Sequence, residues 1–147
     1  MKPDGVLQTV SARSETDLED WTAGVPRMRA QHCGVCAARW LFRREFCPHC
    51  GAQPPQALAL TGLGTVHAAT MVYRAPDDQF RLIAPYALVL VELDEGVRVM
   101  GHAQRGVTIG ARVEVTFVKL AGRLLPYFCP IPSATALSDA RPAPPSE

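Results

Sequence analysis

Two C-x2-C pairs ten residues apart, five β-rich runs downstream of them, and the glycines between those runs together predict a mostly β fold. The order they dictate is a short N-terminal helix within residues 1–30, a zinc ribbon over 31–56, a five-stranded OB-type barrel over 57–130 and a flexible Pro/Ala-rich tail over 131–147. An SH3-like barrel is the competing arrangement of the same strands.

The helix is predicted near 15–23. In Ser14-Glu-Thr-Asp-Leu-Glu-Asp-Trp21, Ser14 or Thr16 serves as N-cap and the acids fall in the first turn, where the helix dipole favours them. Gly24 and Pro26 end it.

The ribbon rests on Cys33-Gly-Val-Cys36 and Cys47-Pro-His-Cys50. Each pair turns tightly enough to aim two thiolates at one point, and four sulfurs at about 2.3 Å around one cation make the closed tetrahedral site that zinc prefers. The ten residues between the pairs suit a β-hairpin joining the two knuckles. Such a site has no open position for substrate, so its expected role is folding free energy for a segment too small to build its own core. Two disulfides are the first alternative, disfavoured in a chain without an export signal. Iron is the second: Cys47-Pro-His-Cys-Gly51 looks like half a rubredoxin site, and an electron carrier would follow from it. His32 and His49 flank a set that four thiolates already complete.

The barrel strands read as Thr65-Val-His-Ala-Ala-Thr-Met-Val-Tyr73, Tyr86 to Leu93, Val97 to His102, Ala111 to Val118, and a short fifth at Leu124 to Phe128. Asp94-Glu-Gly96 is a tight turn, and Glu92, Asp94 and Glu95 serve as turn and edge residues. The connection from Arg74 to Pro85 is long enough to be functional or disordered. His67 and His102 fall on strands as satisfied or solvent-facing histidines, and lone Cys129 reads as a small apolar residue.

With 147 residues, 48% hydrophobic and 20% charged, the chain suits one compact domain or two very small ones. It lacks any run of roughly 18 apolar residues and a signal-peptide core, so the expectation is a cytoplasmic protein. Fifteen bases against fourteen acids give a charge of +1, without the basic excess of a phosphate-reading protein. Zinc ribbons and OB barrels do bind single-stranded nucleic acid, and that is the alternative function. It needs aromatic platforms interleaved with basic runs, a pattern that Tyr73, Phe80, Tyr86, Phe117, Tyr127 and Phe128 do not show. No acid, base and nucleophile set is visible, so no catalytic residue is assigned.

In their order and spacing, the two cysteine motifs, Gly62-Leu-Gly-Thr-Val66, Ala84-Pro-Tyr-Ala-Leu-Val-Leu-Val-Glu-Leu-Asp-Glu-Gly96, Ile109-Gly-Ala-Arg-Val-Glu-Val115 and Tyr127-Phe-Cys-Pro130 resemble the DUF35 family over roughly residues 15–131. The resemblance implies a non-catalytic subunit of an acyl-CoA thiolase or related acyltransferase, in a hetero-oligomer such as a heterotetramer. It implies that a thiolase-fold subunit supplies the catalytic groups while this chain docks beside it and helps hold the CoA ester. Phosphates of CoA need cations, for which Arg74, Arg81, Arg43 and Arg44 are the candidates. Trp21, Trp40 and Phe42 are the aromatic candidates for the partner interface.

Overall fold

The computed structural model describes residues 19–132. Eight strands dominate the secondary structure: β1 (Arg29–His32), β2 (Arg39–Trp40), β3 (Gln56–Ala59), β4 (Leu63–Val72), β5 (Tyr86–Leu93), β6 (Arg98–Ala103), β7 (Arg112–Leu120) and β8 (Arg123–Pro130), with one α-helical turn, α1 (Asp78–Arg81). No helix among the described residues is long and apolar enough to cross a membrane.

Of the N-terminal helix expected near 15–23, residues 15–18 and the caps Ser14 and Thr16 lie outside the described residues. The described part is a 3-10 turn, Trp21–Ala23, not an α-helix. Asp20 caps it by accepting from the Thr22 N–H, and left-handed Gly24 stops it after a single turn. Trp21 is buried by this turn and joins the main core.

The first three strands form a small sheet in the order β2-β1-β3. The hairpin expected inside the ten-residue spacer is not there. β2 instead pairs backward with β1 across the first knuckle, and β3, beyond the second knuckle, pairs with the other edge of β1. The spacer therefore spends its length reaching from one knuckle to the other.

The remaining five strands close into a barrel in the order β4-β5-β6-β8-β7. β6 and β8 run parallel, with His102 opposite Tyr127, while the other barrel pairs are antiparallel. This is the Greek-key order of the OB barrel, which decides against the SH3-like alternative. The fifth strand is eight residues long rather than short, because it pairs along β7 from Pro130 to Arg123. A bulge at His67 bends β4, so that its first residues pair with β7 while the strand continues along β5 to Val72.

Alternation along the strands sends Val66, Ala87, Val89, Val91, Leu93, Val99, Val113 and Phe128 inward. Gly101 allows the parallel closure: a Cβ there would lie 2.8 Å from Phe128 Cε2 and 2.8 Å from the Pro126 carbonyl oxygen. The small sheet shares this core through Met28, Ala30, Leu41, Leu58 and Leu60. Glu95, at the β5–β6 turn, ties the two parts together. Its carboxylate accepts from the Thr61 N–H at 2.7 Å, and its backbone carbonyl accepts from Arg39 Nη1 at 2.7 Å.

Candidate metal centre

The two cysteine pairs fold into matching knuckles. In the first, the Cys33 N–H donates to the Ala38 carbonyl at 2.8 Å and the Ala37 N–H donates back to the Cys33 carbonyl at 3.1 Å. In the second, the Cys47 N–H reaches the Ala52 carbonyl and the Gly51 N–H reaches the Cys47 carbonyl, each at 3.0 Å. The residue that follows each pair sits in the left-handed region, Ala37 at φ 59° and Gly51 at φ 75°. Glycine adopts that conformation freely, whereas alanine holds it at a steric cost.

These turns bring all four sulfurs within 4.8 Å of one another. The closest approaches cross between knuckles: Cys33 Sγ to Cys50 Sγ and Cys36 Sγ to Cys47 Sγ, both 3.6 Å. Four sulfurs placed tetrahedrally at zinc's bond length stand about 3.8 Å apart, so the cluster has the donors and the size to hold one metal ion. Cys33 and Cys47 are buried, whereas Cys36 and Cys50 are exposed.

Backbone N–H groups donate to two of the sulfurs. Those of Cys36 and Val35 point at Cys33 Sγ, at 3.5 and 3.3 Å, and hold its thiol down to about 6. For Cys47, desolvation pushes upward, but the N–H groups of Cys50 and His49 together prevail and lower it. Cys36 goes the other way: a bond from the Ala38 N–H works to lower it, yet desolvation and the neighbouring thiols raise it to about 12. Cys50 is raised as well, with the Ala52 N–H opposing the effects of Cys33 and desolvation. Four thiolates this close repel one another, and a divalent cation at their centre removes that repulsion and lets all four ionise.

The side chains behind the knuckles were not legible as such in the sequence. Gln31, buried on β1, accepts at Oε1 from Trp40 Nε1 at 3.0 Å and from the Arg44 N–H at 2.6 Å, and donates from Nε2 to the Arg44 carbonyl at 3.1 Å. A polar residue flanked by Ala30 and His32 carries no sequence signal for this. Trp40 is thereby buried against Cys33 and Cys47. His32 and His49 lie outside the sulfur cluster.

Of the three aromatic residues expected at a partner interface, Trp21 and Trp40 are each only 9% exposed and pack within the chain, whereas Phe42 is 62% exposed. Phe42 sits in the left-handed region at φ 66°, and its ring rests on Trp21 at a centroid distance of 6.4 Å. Val35 and Phe46 add exposed apolar surface to the same ribbon.

The four arginines proposed for phosphate fall on two different parts of the molecule. Arg43 and Arg44 follow Phe42 in the spacer, and Arg74 is exposed just beyond β4. Arg81 staples its own loop, donating to the Ala75 carbonyl at 2.9 Å, the Pro76 carbonyl at 3.3 Å and the Asp78 carboxylate at 2.6 Å.

Residues 58–118 match the family model described as ChsH2, C-terminal OB-fold domain. A DUF35 domain-containing scaffold protein of Methanocaldococcus jannaschii is 33% identical over 93 residues, 60% of this chain and 65% of that protein. One of the same name from Methanothermobacter thermautotrophicus is 32% identical over 60% of this chain and 69% of its own length. A probable enoyl-CoA hydratase alpha subunit of Thermomonospora curvata is 30% identical over 71% of this chain, but the match spans only 34% of that protein. Among solved structures, the Ltp2-ChsH2(DUF35) aldolase superposes with a TM-score of 0.61 at 28% identity, covering 71% of this chain and 84% of the other.

Proposed function

The chain belongs to the DUF35 family, and from that premise we infer that it is a non-catalytic, zinc-stapled accessory subunit of an acyl-CoA-processing enzyme whose catalytic subunit has the thiolase fold. The observation that carries the reading is the likeness to a chain of an aldolase whose name couples Ltp2 with a DUF35 component. The relative named as an enoyl-CoA hydratase subunit supports CoA esters as the shared substrate class.

In this reading the metal is zinc and its work is mechanical. The four-thiolate set leaves no coordination position for substrate, so the ion holds the knuckles in place. The knuckles in turn hold the ribbon surface on which Phe42, Val35 and Phe46 are exposed. An aromatic residue held outward in a strained conformation and backed by a second ring suits the anchor of an interface. Arg43 and Arg44 stand next to that anchor in sequence, and Arg74 and Arg81 are the barrel's candidates for CoA phosphate. We extend the proposal to one member of the family, the small subunit of benzoylsuccinyl-CoA thiolase from anaerobic toluene breakdown, in a hetero-oligomer such as a heterotetramer.

The test is recovery of this chain from its native host, with mass spectrometry of whatever accompanies it, an ultraviolet spectrum for nucleic acid and metal analysis. A stoichiometric thiolase-fold partner and one zinc per chain are expected, after which a panel of acyl-CoA thioesters including benzoylsuccinyl-CoA identifies the substrate. A thiolase-fold subunit that is fully active alone and does not bind this chain overturns the reading.

A further inference from the structure

The barrel carries a second concave site, remote in sequence from the metal centre. β6 alternates, with Val99, Gly101 and Ala103 turned to the core and Arg98 and Met100 exposed. His102 belongs to the outward set, yet it is only 8% exposed. It is covered because α1 folds over the outer face and lays Phe80 against it, with ring centroids 5.8 Å apart and planes within 12°. Tyr86 on β5 closes the cluster, 5.0 Å from His102 and 5.9 Å from Phe80.

Beside these rings lies a cavity of about 410 Å³ that Leu88 and Leu125 also line. Its size and its aromatic wall are those of a small-molecule site. Three polar groups converge on it from different elements: Gln79 from α1, His102 from β6 and Arg123 from the start of β8. Asp77 also lines it and caps α1 by accepting from the Gln79 N–H at 2.8 Å; its charge disfavours an anion beside α1 and leaves Arg123 as the place for one. The Arg123 side chain makes no ion pair or hydrogen bond, and the His102 ring makes only ring contacts, among the described residues. Burial lowers the pKa of His102, so its imidazole is neutral near pH 7, with one nitrogen free to donate and one to accept. The second and third strands of an OB barrel, with the loops joining strands one to two and four to five, form the face on which such barrels bind ligands, and these four parts are the ones assembled here.

The geometry points to a binding site on the β5–β6 face for a planar ring bearing an anionic substituent, the ring packed along Phe80, Tyr86 and His102 and the anion on Arg123. A guanidinium without a partner, set at the rim of an aromatic-walled cavity, selects that combination over a neutral apolar ligand. Two sources supply the chemistry: an adenine nucleotide, such as the nucleotide end of a CoA ester, or a free aromatic carboxylate. The site itself stands on the barrel alone; only the choice of a CoA nucleotide as the source rests on the function proposed above.

The full chain, with its histidines labelled with nitrogen-15, is titrated with adenosine 3′,5′-bisphosphate and separately with benzoate, following the His102 ring by nuclear magnetic resonance. Saturable shifts of His102 are expected with at least one probe, at a Kd on the order of 1 mM for fragments of this size. Arg123→Gln weakens that binding roughly tenfold or more, while Arg98→Gln, at the far end of β6, leaves it unchanged. Saturation by the bisphosphate alone assigns the nucleotide source, by benzoate alone the carboxylate source, and by both the shared chemistry. No saturable shift with either probe, or equal affinity in Arg123→Gln, overturns the inference. Association with an enzyme partner is measured separately on the same protein, so its failure is distinguishable from failure here.

Discussion

Trp40 Nε1 donates to Gln31 Oε1 at 3.0 Å, in the buried layer directly behind the cysteine knuckles. The same oxygen takes the Arg44 N–H, so one side chain sets both the rotamer of a core aromatic and the path of the chain toward the second knuckle. Gln31→Leu preserves volume but leaves the indole N–H and the Arg44 backbone groups without partners. A loss of about 2 kcal/mol is expected, because each buried orphan keeps its desolvation penalty. Denaturant unfolding measures it, and a change below about 0.5 kcal/mol would show that water replaces the glutamine.

Removing a sulfur acts on the same layer more severely. Cys47→Ser takes away a buried ligand that Cys36 Sγ approaches to 3.6 Å, leaving three donors. Loss of stoichiometric zinc is expected, with a fall in Tm of roughly 10 °C or more in both this variant and the chelated parent. Metal analysis alongside calorimetry checks it; a metal-free variant with the parent Tm would sink the stapling role.

Closure of the barrel rests on a missing side chain. Gly101→Ala forces a Cβ to within 2.8 Å of Phe128, the largest fully buried residue, and of the Pro126 carbonyl, neither of which is a flexible side-chain end. Overpacking of this kind costs about 1–3 kcal/mol, a Tm fall of roughly 5–15 °C. If Gly101→Ala melts with the parent protein, β6 and β8 are not held as closely as their pairing indicates.

His102 makes stability depend on pH in one direction. Burial holds its pKa below the ordinary 6.5, so between the two values the unfolded chain binds more protons than the folded one. Stability is therefore full above about 6.5 and declines as the pH falls toward the folded value. Of the charged groups lining the same cavity, Arg123 opposes the imidazolium and Asp77 favours it. His102→Phe keeps the stacking with Phe80 and removes the proton, so its Tm falls less than the parent's between about pH 7.5 and 5.5. Acid lability of the cysteine cluster is common to both proteins and cancels. Parallel Tm curves for the two would remove His102 as the source.

The parts of this protein that were legible in the sequence depend on residues close together along the chain. A C-x2-C pair needs only its own turn to aim two sulfurs at one point, and alternating apolar residues show which face of a strand is buried wherever that strand docks. The ribbon-plus-barrel architecture and its five barrel strands followed from those signals. The stop at Gly24 was legible, but the described part of the expected helix is a single 3-10 turn, because Asp20 is extended and caps Trp21–Ala23, leaving three residues before that stop. The expected hairpin gave way to pairing with β1, an edge that local sequence does not announce.

What the tertiary structure alone decided is which distant residues meet. Glu95 joins Arg39 and Thr61 because the β5–β6 turn falls beside the ribbon, and Phe80 reaches His102 because α1 folds over the β5–β6 face. Arg123 shares their cavity because β8 pairs in parallel with β6. By itself the sequence determined a four-cysteine ribbon ahead of a five-stranded barrel, through short-range geometry and alternation. Strand order and barrel curvature, which arise from contacts between residues far apart in the chain, decided where its cavity and its exposed aromatic side chains lie.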